Sequence, residues 1–382
     1  MKNETKIINL SIMQIFYDDD TLLNLLNNLI TKSPIEILYL VPFLSLFCVE
    51  SVNFFAEQKI NIKTNFNSEF NEKKIRIKLK CFEDKFLQSE KIVKNCDLLQ
   101  DSFFRNKIKC NLIKKLNLYY NLGCYIVDGK IIGNTQYAYY IFQDSKLLRK
   151  KEIGLEDGQF DIIPKELKNY GAHCGNLVLI INELCKILTK QNYLNKVSQY
   201  NHIIYYKDFN TNKLFKKDKT LKLYLLHILS NINYVYYVLR KYEVKDTGWW
   251  LKIYYITYYY AIVRIESIKE YISTQKQSKS YLNSLFNITN KVSTEINRNF
   301  RSCMMHYKFI NPNSGDILIA EKYFDIQIPL FGLVESMFDG MTYEELKLKI
   351  LHNLKIISDE LEIILNIDLN HSKKLEGDWK YE

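Results

Sequence analysis

Closely spaced cysteine ligands are missing from this chain. Cys48, Cys81, Cys96, Cys110, Cys124, Cys174, Cys185 and Cys303 form no CxxC pair, and the one CxxH spacing, Cys303 to His306, has no second such pair beside it. A structural zinc needs ligands paired at such spacings, so no metal is expected. An apolar leader is missing too. The chain opens MKNETK, with no hydrophobic run behind it, which argues against a secretory signal and predicts reduced thiols in a cytoplasm. Nor does any stretch supply the ~20 largely uninterrupted apolar residues of a membrane span. Residues 37–56 are broken by Pro42 and Glu50, and 249–265 carry Lys252 and Arg264, so both are expected to be buried helices rather than membrane contacts. No repeat or low-complexity block is visible. Arginine is scarce, with only seven residues, although the net charge is +10. That charge permits binding to a polyanion. Abundant lysine, asparagine, isoleucine, tyrosine and phenylalanine also mark AT-rich coding, which by itself fills a surface with lysine.

What is present is enough to fold. The hydrophobic content is 47% over 382 residues, ordinary for a chain that buries a core and long enough for two domains of ~100–200 residues. Residues 6–17 fit a strand or a short helix. Asp18, Asp19 and Asp20 precede a leucine-rich run, as carboxylates do at a helix start; a divalent-metal site is the other reading of three acids. Pro34 opens a helix to about residue 55. KINIKTNF (59–66) and KKIRIKLKCF (73–82) alternate and predict a hairpin. Helical spacing then runs over 83–120, with Gly123 as its stop. Asp128-Gly129 between β-branched runs is the strongest hairpin turn, and the strand pattern continues through 137–142.

Residues 144–172 are polar and irregular, placing His173 and Cys174 at a loop end. Adjacent residues on one backbone seldom face each other, so this pair is not expected to act as base and nucleophile. The lysine-rich stretch 205–220 gives a domain boundary. The expected fold is mainly α: an α+β region with a small antiparallel sheet over 1–205, a helical bundle over 206–369 and a polar tail over 370–382. In the bundle, helices are expected over 220–242, 249–273 and 279–305, the second capped by Asp246 or Thr247. It carries Tyr254, Tyr255, Tyr258, Tyr259, Tyr260 and Tyr271, a pattern that fits core packing. A turn over 311–315, an extended run over 316–330 and a helix capped by Thr342 and Glu345 follow.

The segment richest in chemistry is 296–309, INRNFRSCMMHYKF. An arginine that neutralises a phosphate and a histidine that moves a proton are together able to cleave RNA without a metal. Arg301, with polar Ser302 beside it and His306 after four intervening residues, resembles the HEPN superfamily, whose hallmark is an arginine, a polar neighbour and a histidine a few residues on. The resemblance covers roughly 215–368. It implies a helical bundle that acts as a metal-independent endoribonuclease without a cofactor, often in phage defence, toxin–antitoxin or stress systems. Such domains pair as homodimers whose motifs face a shared cleft, so RNA, a second copy and an antitoxin or defence-system protein are the implied partners. His306 would be the general acid or base and Arg301 the stabiliser of the phosphorane. Arg298 and Asn299 make a second arginine–polar pair, too far from His306 to match the motif; with Ser302 they are supporting candidates. On an ideal helix Arg301 lies ~140° from His306, so the pair needs the helix to end or bend there, or two subunits to contribute. Two other readings are a non-catalytic interaction protein with a tyrosine-rich partner face, and a metal-dependent nuclease built on Asp18–Asp20.

Overall fold

The computed structural model describes residues 2–30, 34–62, 72–83, 86–142, 162–190, 197–243, 247–274, 282–292, 295–311 and 314–374. In chain order, α1 (Lys2–Ile30), α2 (Pro34–Glu57), α3 (Glu72–Glu83), α4 (Phe86–Lys107) and α5 (Asn111–Lys115) precede β1 (Leu122–Val127) and β2 (Lys130–Asn134). Next come α6 (Thr135–Phe142), α7 (Ile162–Thr189), β3 (Ile204–Phe209), α8 (Thr211–Leu214), α9 (Lys219–Asn233), α10 (Trp249–Thr274) and α11 (Leu282–Lys291). The chain then forms α12 (Arg298–His306), α13 (Leu333–Met337), α14 (Tyr343–Leu365) and β4 (Lys373–Lys374). The fold is mainly α with one small antiparallel sheet, as the sequence predicts. One buried apolar cluster runs from Leu10 on α1 to Leu365 on α14.

The sheet order is β2-β1-β3-β4. Val127 pairs with Lys130 across the Asp128-Gly129 turn. Both turn residues have positive φ, 49° and 73°, the conformation a two-residue type I′ hairpin requires and Asp-Gly tolerates. β3 pairs with β1 from Leu122–Phe209 to Val127–Ile204, and Lys373 and Lys374 pair with Tyr206 and Tyr205. Residues 205–206, where composition puts the domain boundary, thus lie within an inner strand of this sheet.

Several local expectations are corrected. The hairpin expected over 59–82 is not formed by its second half: 72–83 is the helix α3, while 63–71 lie outside the described residues. Its alternation is deceptive. Ile75 and Leu79, one helical turn apart, are buried, but Ile77 between them is 65% exposed, which is a helix face rather than a strand face. The helix expected over 83–120 is broken after Lys107, and Gly123 lies in β1. Residues 137–142 form α6 instead of a strand because the Asn134 side chain accepts from the Tyr137 amide at 3.1 Å and caps the turn. His173 and Cys174 lie within α7, not at a loop end; the helix begins at Ile162, and 143–161 lie outside the described residues. The cap expected at Thr247 is not the residue next to α10, since Gly248 at φ 101° intervenes; Asp246 is outside the described residues. The run 316–330 holds short 3-10 turns over Glu321–Tyr323 and from Pro329 rather than a strand.

The acid triplet does not start a helix. α1 runs straight through it, and all three side chains are buried. Asp18 is claimed by Lys252 of α10 and by the Tyr307 hydroxyl, each at 2.7 Å. Asp19 accepts from Asn182 of α7 at 2.6 Å. The Lys252 ammonium neutralises Asp18 and an amide hydrogen bond holds Asp19; neither carboxylate lies at a helix end. Among the described residues, no group of three or more His, Cys, Asp or Glu is arranged to hold a metal.

Asp19 is the costly member. Its second oxygen is buried without a partner, and burial holds its carboxyl well above the usual range, against the Asn182 bond and with Asp20 and Asp18 adding repulsion. A carboxyl raised in the fold binds its proton more tightly there than in the unfolded chain. Its stabilising contribution is therefore present below the usual carboxylate range, about pH 4, and is lost as pH rises through the raised value. Asp19→Asn should gain on the wild type progressively as urea unfolding is repeated from pH 4 upward; a constant difference across that range would contradict the assignment.

The helix expected over 279–305 is two helices. α12 is separate from α11 because Asn297 caps it, its side chain accepting from the amides of Asn299 and Phe300 at 3.0 Å each. The buried hydroxyl of Tyr255 holds the junction: it donates to the Glu295 carbonyl at 2.8 Å and accepts from the Asn297 amide at 2.8 Å. Tyr255→Phe removes both of these bonds and should cost about 1–3 kcal/mol in chemical denaturation. Tyr254, Tyr258 and Tyr260 on the same helix are buried as well. The face proposed for a tyrosine-rich partner surface is largely interior.

Candidate functional site: a histidine–glutamate pair at an open cleft

α12 is nine residues long and ends at His306. It ends there because Tyr307 adopts φ 54°, a left-handed conformation that costs a non-glycine residue ~1–2 kcal/mol. Burial and bonding hold Tyr307 in it. Its hydroxyl donates to Asp18, and the Lys252 ammonium sits 3.7 Å from its ring centroid. Gln14 adds a bond to the other Asp18 oxygen at 2.8 Å. Burial lowers the Lys252 pKa, with Asp18 and then Glu50 opposing.

The chain reversal at Tyr307 turns His306 toward α2. His306 Nδ1 lies 2.7 Å from Glu50 Oε2, with the histidine side chain 38% exposed and the glutamate 16%. Among the described residues Nε2 of His306 has no hydrogen-bond partner. The pair borders a cleft of about 440 Å³ lined by Glu50, Asn53, Phe54, Ala56, Glu57, His306 and Lys308. Lys308 is already bound to Glu57 at 2.9 Å. A carboxylate on Nδ1 fixes the tautomer and leaves Nε2 available to exchange protons with a bound molecule.

Of the predicted residues, only His306 reaches this cleft. Arg301 points to the other side of α12. Its guanidinium donates to the Tyr260 hydroxyl at 2.5 Å and lies over the Tyr259 and Tyr260 rings, while its Nε is buried without a partner. The helix does end at His306, but the five-residue separation still divides arginine from histidine. Arg298 is exposed at the start of α12, and Asn299 and Ser302 are half-buried; none of the three lines the cleft. Sequence reading missed Glu50, whose one signal is that it interrupts an apolar helix. That helix, over Ile35–Glu57, is long and apolar enough to cross a membrane but is mostly buried here.

The other pairing weighed from sequence also dissolves. His173 contacts Glu72, and Cys174 instead engages the buried thiol of Cys48. Comparison with known proteins finds no matching family model, no similar curated protein and no solved structure that matches.

Proposed function

We propose that this chain is a metal-independent endoribonuclease of HEPN type, acting as a homodimer in the cytoplasm. The observation that supports it is the His306–Glu50 pair, with a free ring nitrogen at an open cleft. Glu50 holds the imidazole with Nε2 outward. Nε2 takes the proton from a ribose 2′-OH, the oxygen attacks the adjacent phosphorus, and the 5′-oxygen leaves after protonation. The products are a 2′,3′-cyclic phosphate and a 5′-hydroxyl. Among the described residues the cleft supplies no free cation, because Lys308 is paired with Glu57 and Arg301 is engaged at Tyr260. The charge that stabilises the phosphorane therefore comes from a second copy docked at the cleft. Phage defence, toxin–antitoxin pairing and stress response are the settings this chemistry suits.

The direct test is a DNA oligonucleotide carrying one ribonucleotide. Cleavage should occur only after the ribose, and none should occur when its 2′-OH is methylated; cleavage of both would exclude the mechanism. Glu50→Gln should lower the rate at least ~10-fold without unfolding the chain, through loss of the oriented tautomer.

A second reading, a non-catalytic interaction protein, has its own observation. Leu112, Leu116 and Tyr120 are 64%, 56% and 63% exposed within one short stretch, an apolar surface of the kind that marks a partner site. It predicts no cleavage of either oligonucleotide.

A further inference from the structure

Arg264 is a buried charge without a counter-ion among the described residues. It sits on α10 at 4% exposure. Its Nε donates to the Tyr260 carbonyl at 3.2 Å, but its buried NH1 nitrogen has no partner. No carboxylate pairs with it among the described residues. A guanidinium does not shed its proton at any physiological pH, so this charge is permanent and, among the described residues, uncompensated, a costly arrangement unless something else neutralises it.

Arg264 lines a cavity of about 40 Å³. Its walls include the tyrosines Tyr39 and Tyr234, whose hydroxyls are turned outward to the carbonyls of Asn134 and Glu36. Thr257, Asn231, His227, Tyr137 and Tyr260 are the other polar side chains of the lining. His227 is no counter-charge, since burial first and Arg264 second hold its pKa well below the usual value. A second arginine stands just outside, Arg301 donating to the hydroxyl of Tyr260, which itself lines the cavity. At ~10–15 Å³ per water, the space takes about three waters or one oxyanion of similar size.

We propose that this cavity is a binding site for a small oxyanion, a phosphate or carboxylate group, held by the Arg264 guanidinium. The fork of an arginine matches two oxygens of either group, and Tyr39, Tyr137, Tyr234 and Tyr260 line the space around it. The site is separate from the His306 cleft and does not depend on RNA cleavage.

Calorimetric titration of the full chain with inorganic phosphate, and separately with acetate, at ionic strength matched with chloride, tests it and tells the two sources apart. One anion should bind per chain, with affinity at least tenfold weaker in Arg264→Met. Arg264→Lys keeps the buried charge but not the fork; it should still fold and bind several-fold more weakly, so the test survives if the methionine variant does not fold. If neither anion binds the wild type, or if binding is undiminished in the folded variants, the assignment is wrong.

Discussion

Asp18→Ala is expected to destabilise the protein by about 3–5 kcal/mol, the largest stability effect of any single substitution considered. The change strands the Lys252 ammonium in the interior, where both partners are almost fully buried (4% and 0% exposed). It also removes the acceptor for Tyr307 and Gln14. Most of the loss is the cost of an unpaired buried charge rather than the worth of the pair. A double variant, Asp18→Asn with Lys252→Met, should therefore recover a large part of it, since asparagine still accepts from Tyr307 and methionine carries no charge. Urea unfolding of the single and double variants measures both. A double variant as unstable as Asp18→Ala would mean that the ion pair itself carries the stability. The same network holds Tyr307 in its left-handed conformation, so Asp18→Ala should also loosen the end of α12 and the placement of His306.

His306→Ala should lower RNA cleavage by about 10²–10⁴-fold, the range a positioned general base contributes. It should leave folding nearly unchanged, because the side chain is partly exposed and Glu50, its partner among the described residues, remains able to reach solvent at the cleft. Arg301→Ala separates the roles within α12. Its guanidinium is engaged at Tyr260 rather than at the cleft, so its removal should affect stability and packing more than Glu50→Gln does. If Arg301→Ala were instead as stable as the wild type and as inactive as His306→Ala, the arginine would have to swing to the cleft in the dimer.

What the sequence made legible was local. The Asp128-Gly129 hairpin, the start at Pro34, the helical run through 220–242 and the Thr342–Glu345 capping box each depend on residues a few positions apart, and each is present. What it concealed was set from a distance. The break before α12 rests on Tyr255, 42 residues from Asn297. The acids of α1 are tolerated inside a helix because Lys252 and Asn182 reach them from α10 and α7. The partner of His306 is Glu50, 256 residues away, and no periodicity links the two. α3 misled for the opposite reason: its lysines and isoleucines alternate in sequence, and only burial reveals that the buried face repeats every four residues.

The most direct test of the central claim is incubation of purified wild-type protein with cellular RNA in EDTA, with the new ends mapped, beside His306→Ala and Glu50→Gln. The account predicts cleavage by the wild type that leaves 2′,3′-cyclic phosphates, is reduced in Glu50→Gln and is lost in His306→Ala. Equal cleavage by all three proteins, or activity that disappears with the chelator, would contradict it.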